Sequence, residues 1–184
     1  MTRVARPALT IDLLVVSDRW NDVKRWRSVV RRAVTRAAAA LSTKAAELGI
    51  VLTDDSAIRA LNRDWRGIDA ATNVLAFPTG NAAAKHLGDI VLSFETIARE
   101  ARSERKPFAH HLAHLAVHGF LHLVGYDHEQ PGEALEMERA EREILRALAI
   151  PDPYRPSRPR SSAARRRPER KRADKHTAKH PRKP

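Results

Sequence analysis

The residues best placed for chemistry are three histidines in one short stretch. It reads His118-Gly119-Phe120-Leu121-His122-Leu123-Val124-Gly125-Tyr126-Asp127-His128. His118 and His122 are four apart, so on a helix both rings leave the same face one turn apart. Gly125 follows, a residue that tolerates the left-handed backbone with which helices end. A turn there would bring His128 round to the other two. Three imidazoles meeting at one point leave the fourth corner of a tetrahedron open to water, which is the ligand set of a catalytic zinc site. The chain has 9 His, so two at this spacing can arise by chance. Three of them, with glycine at the turn, predict one Zn2+ per chain held by His118, His122 and His128.

The same spacing matches the metzincin signature H-E-x-x-H-x-x-G-x-x-H at every position but one. Where the protease carries its glutamate base, this chain has Gly119. Glycine cannot accept a proton, so the pattern points away from peptide cleavage and towards another metal-assisted hydrolysis. Two neighbours are candidates to stand behind the ligands. Asp127 could orient a ring or act as a base, or it could simply cap the turn. His114, one turn before His118 on the same face, could compete as a ligand, support one, or be a polar cleft residue. One glutamate of the acidic stretch Glu133–Glu143 could likewise hold a ligand ring from behind.

The elements that must position these residues follow from periodicity. Leu9–Val16 alternates as a first strand, with Leu14 and Val16 suggesting burial on both faces near its end. Ser17 or Asp18 could cap the next element, a helix whose stripe is Val23, Trp26, Val30, Ala33, Val34, Ala37 and Leu41. Its other face carries six Lys/Arg, which suit solvent or RNA. Gly49 closes that region, and Ile50–Leu52 makes a second strand. Asp54, Asp55 or Ser56 then caps a helix carrying Ile58, Leu61 and Trp65. Thr72–Phe77 is a third strand stopped by Pro78, and Gly88–Leu92 a fourth. Ser93 opens a helix with Phe94, Ile97, Ala98 and Ala101 inward. Pro107 suits the first turn of the long histidine-bearing helix, which reaches Val124. A last helix from Pro131–Glu133 has Leu135, Ile144, Leu145 and Leu148 on its apolar side. The order β-α-β-α-β-β-α-α-α implies an α+β fold: a small four-stranded mixed sheet with about five helices, of a zinc-hydrolase-like kind.

Charge divides the chain. Residues 155–184 hold 13 Lys/Arg and 2 Asp/Glu, so +11 of the total +12 sits there. With five prolines and few large apolar residues, this segment reads as a disordered basic tail on a single domain spanning 1–154. It suits RNA phosphates, or serves only for solubility. The absence of cysteine excludes disulfides and thiolate metal sites. The longest early apolar run, Leu13–Val16, is far too short for a membrane span. The expectation is a soluble, cytoplasmic protein with no membrane partner.

Four segments together resemble one bacterial family, the rRNA maturation factor YbeY. They are HGFLHLVGYDH (118–128), LNRDWRGIDAATNVLAFP (61–78), GDIVLS (88–93) and DPY (152–154). The resemblance implies a zinc-dependent, single-strand-specific endoribonuclease that matures rRNA, including the 3′ end of 16S rRNA, and polices ribosome quality. It implies rRNA and the ribosomal subunit as partners, His118, His122 and His128 as zinc ligands, and Arg66 as the functionally important arginine. Guanidinium would suit a phosphate clamp; read without the family, Arg66 is a surface residue pairing with Asp69, worth about 0–1 kcal/mol. Ala70-Ala71 and Ala76 depart from the family's usual residues, and the basic tail is outside its pattern. Two other functions compete: a zinc peptidase, opposed by Gly119, and a non-enzymatic ribosome assembly factor with a structural zinc closed by four protein ligands.

Overall fold

A computed structural model describes residues 9–43, 46–80, 85–128 and 130–155. The tail assigned to 155–184 thus lies, beyond Arg155, outside the described residues. Four strands form one sheet: β1 (Thr10–Val15), β2 (Glu47–Thr53), β3 (Val74–Pro78) and β4 (His86–Ser93). Five α-helices accompany them: α1 (Trp26–Ala40), α2 (Asp55–Arg66), α3 (Phe94–Ser103), α4 (Phe108–Leu123) and α5 (Pro131–Ala147). The predicted α+β class and order of elements hold, with a short 3-10 turn at Asp18–Asp22 in addition.

The strand order is β1-β2-β4-β3, with β1, β2 and β4 parallel and β3 antiparallel to β4. One row across the sheet shows the logic. Leu13 pairs with Ile50, Ile50 with Ile90, and Ile90 with Ala76. Residues in register point to the same face, and this row meets α1 and α4. The opposite face holds Val51, Val91, Leu75 and Phe77, and α2 covers it with Ile58 and Leu61.

The main core joins the first of these faces to α1, α3, α4 and α5. α4 is buried nearly all round, because apolar residues surround it and neighbours cover each side. Beyond its first turn, only the line of His110, His114, His118 and His122 remains partly open. Leu112, Leu115, Ala116 and Leu123 are inward as predicted. Trp20 anchors the rim of this core. It has no exposed surface, its indole N–H donates to the Thr53 carbonyl at 2.9 Å, and Trp26, Phe94 and Phe108 meet it edge-on.

Several expectations give way. Leu14 and Val16 are 59% and 57% exposed rather than buried. β1 is an edge strand, and α2 does not reach across to its second face. Gly49 does not close a region but sits inside β2, paired with Asp12 and Asp89. Val23 precedes α1, which starts at Trp26 after Arg25 in a left-handed conformation (φ 66°). Neither Ser17 nor Ser93 caps through its side chain. Asp54 does, accepting from the Ala57 amide at 3.0 Å. Leu135 is 66% exposed, and Met137 and Glu141 take the inward places on α5. No helix among the described residues is long and apolar enough to cross a membrane.

Candidate metal centre

The site is built where α4 stops. The Gly125 and Tyr126 amides bond back to the His122 and Leu121 carbonyls, at 3.1 and 3.0 Å. Gly125 takes φ 94°, a region that side-chain-bearing residues avoid. The reversal returns His128 to the helix. Its ring centroid lies 5.1 Å from that of His122 and 5.7 Å from that of His118. One ring nitrogen from each of the three lies within 4.8 Å of the others, so the predicted trio is brought together.

The tautomers of two rings follow from their partners. His118 Nδ1 is 2.8 Å from Glu141 Oε1, and an ionised carboxylate can only accept, so Nδ1 carries the proton. His122 Nδ1 is 3.0 Å from the Tyr126 carbonyl oxygen and donates to it by the same reasoning. Both Nε2 atoms are thereby left as lone pairs, and they face each other at 3.2 Å. Two such lone pairs repel unless a proton or a cation lies between them. A tetrahedral ion about 2.0–2.1 Å from imidazole nitrogens spaces them by about 3.3–3.4 Å. The donor set and its spacing therefore fit a divalent ion. Burial, then the neighbouring His118 and His128 rings, lower the pKa of His122 and favour the neutral ligand form.

Glu141 stands directly behind this pair. It has no exposed surface, and it accepts from His118 Nδ1, from His114 Nε2 at 3.2 Å and from the Tyr154 hydroxyl. Burial alone would raise its pKa, but these donors win and hold it at about 2. A carboxylate that fixes a ligand imidazole from behind raises its basicity and sets its orientation. His114 thus meets the site through Glu141 and is not one of the three convergent rings. Asp127 turns Oδ1 to the His128 amide at 2.7 Å, which secures the turn itself.

Arg66 is not drawn to this cluster. It ends α2, which packs on the opposite face of the sheet, and among the described residues it makes no ion pair. Asp69 is held instead by Arg59 through two bonds of 2.8 Å, so the pairing of Arg66 with Asp69 does not occur. Gly119 is accounted for by packing. A Cβ there would lie 2.8 Å from Ile90 Cγ2, because α4 sits hard against β4.

Two contributors were not singled out by the sequence, although one glutamate of this helix was expected behind a ligand ring. Glu141 was one of several glutamates on a helix, and only its place in line with Met137, Ile144 and Leu145 on the buried stripe marks it out. Tyr154 stood out only as part of the DPY segment, with no role attached, since its partners lie 13 and 40 residues away.

An α+β domain in which the central helix and the turn after it bring three imidazoles together offers a group able to hold a metal ion. Comparison places it further. A family model for endoribonuclease YbeY matches residues 15–149. A curated relative from Nitrobacter winogradskyi, named endoribonuclease YbeY, is 52% identical over 166 residues, covering 85% of this chain and 86% of its own. Another of that name from Rhodopseudomonas palustris strain BisB18 is 52% identical, covering 84% and 96%. The solution structure of TM1509 from Thermotoga maritima shares the fold, with a TM-score of 0.50 and 22% identity over 76% of this chain and 92% of its own. The chain belongs to the endoribonuclease YbeY family.

Proposed function

We propose that this protein is a zinc-dependent endoribonuclease that cuts single-stranded RNA during rRNA maturation in the cytoplasm, at an ion held by His118, His122 and His128. The observation that carries the reading is the opposed pair of Nε2 lone pairs at 3.2 Å, each fixed by a partner on the ring's other nitrogen. When bound, the ion would supply Lewis acidity to water and to a phosphoryl oxygen. The chain's own part is to aim the rings. Glu141 holds His118, the Tyr126 carbonyl holds His122, and Asp127 shapes the turn that delivers His128. Arg66, from the other face of the sheet, is assigned the task of gripping substrate phosphate through its planar donor fork.

A peptidase is disfavoured, since the position of the protease base points at Ile90 and has no room for a side chain. The test is to incubate metal-replete wild type, His122→Ala and Arg66→Glu with single-stranded RNA and with an unfolded protein. RNA cleavage by wild type alone is expected. Cleavage of the protein substrate, or of RNA by both variants, overturns the reading. The basic segment 155–184 is proposed as an electrostatic arm on RNA. Its deletion should flatten the salt dependence of RNA binding and leave metal content unchanged.

A further inference from the structure

The last described residues come back to the metal centre. Lys106, in the turn before α4, donates from Nζ to the Pro153 carbonyl at 2.8 Å. Arg142 on α5 reaches Asp152 at 3.5 Å and lies over the Tyr154 ring, 4.7 Å from its centroid. Asp152 Oδ1 accepts from the Tyr154 amide at 3.0 Å. The Tyr154 ring stands edge-on to His114, with centroids 5.7 Å apart. These contacts aim the phenol so that its hydroxyl donates to Glu141 Oε2. Burial, then the facing carboxylate, raise the phenol's pKa and keep it a donor.

The division of labour on Glu141 is specific. Oε1 serves His118, while Oε2 receives His114 and Tyr154. A carboxylate can rotate about its last bond, and a buried oxygen without donors is costly. Two donors on Oε2 fix the plane in which Oε1 meets the His118 ring.

We propose that Asp152-Pro153-Tyr154 is a latch on the metal centre, in which Tyr154 is a positioning residue acting through Glu141 to hold His118 with Nε2 turned to the ion. This rests on the reading of His118, His122 and His128 as ligands. It adds that metal affinity depends on a residue outside the histidine stretch, supplied by the segment after α5.

The test uses the full chain as wild type, Tyr154→Phe and Glu141→Gln. Zinc affinity is measured by chelator competition, cobalt is used as a spectroscopic probe of ligand geometry, and melting is followed without metal. Glu141→Gln should weaken zinc binding by about 10–100-fold. Tyr154→Phe keeps the ring against His114 and Arg142 and leaves His114 on Oε2, so its metal-free melting should fall only slightly. Its zinc affinity should fall by about 3–10-fold, in the direction of Glu141→Gln, with a shifted cobalt visible band. Wild-type affinity and spectrum in Tyr154→Phe overturn the latch, as does a change confined to melting. A wild-type protein that binds neither zinc nor cobalt overturns the metal reading itself, which separates the two failures.

Discussion

The two faces of the sheet are held in different ways. On one, α1 and α4 cover the sheet and α5 backs them, in a continuous core running from Ile11 through Phe120 to Leu145. On the other, α2 stands alone over a cluster of three buried residues, Ile58, Leu75 and Val91. It is also fastened by charge. Asp55 at its first turn accepts from Ser93 Oγ at 2.5 Å, from the Thr96 amide at 3.1 Å and hydroxyl at 2.6 Å, and from Arg99 at 3.3 Å. The imidazoles project from the heavily packed side and Arg66 from the lightly packed one. Ligands that must meet within tenths of an ångström need a rigid support. The phosphate grip proposed for Arg66, at the end of a long, flexible side chain, tolerates a looser one.

Substitutions can sharpen or break that contrast. Phe120→Ala empties a fully buried aromatic site beside the ligands and should cost about 3–5 kcal/mol in denaturant unfolding, with metal loss at milder denaturant than wild type. Ile58→Ala is also fully buried, but its cluster is small and edged by half-exposed residues that can close in. Its cost should be about 2–3 kcal/mol, with metal affinity unchanged. Equal costs, or metal loss in both, would mean the two faces act as one unit.

Asp55→Asn comes next, at about 1–2 kcal/mol at neutral pH. Burial by itself raises the Asp55 pKa, yet the bonds from Ser93, Thr96 and Arg99 hold it below the ordinary 3.8. A lowered carboxylate stabilises the fold above its unfolded value and loses that contribution as pH falls through its folded one. The gap between wild type and Asp55→Asn should therefore be flat above about pH 5 and close below 3.8, as read by melting at several pH values. A gap that widens in acid would contradict the network. Leu14→Lys, on the uncovered part of the second face, should change stability by no more than about 0.5 kcal/mol.

The order of elements was legible because each carries its own local signal: alternation in β1, short apolar runs in β2 and β4, the apolar stripe of α1, the Asp54 cap of α2. The histidine trio was legible for the same reason, since its geometry is local to one helix and one turn. What sequence could not show depends on neighbours distant in the chain. The run Leu13–Val16 reads the same whether its strand is central or at an edge, so the exposure of Leu14 and Val16 awaited the strand order. Trp20 lies in no long element, so no periodicity marked it as the hub of an aromatic group. The pairing of Asp69 with Arg59 rather than Arg66 depends on how the chain folds after Gly67, not on nearness in sequence.

The contact of Gly119 with Ile90 bears on how such a scaffold could be repurposed. Placing a protease's glutamate at that position would not install a base beside the three imidazoles. It would drive a carboxylate into hydrocarbon and prise the helix from the strand beneath it. Descendants of this chain are thus barred from turning to peptide cleavage by that single exchange, and the barrier is one of interlayer spacing.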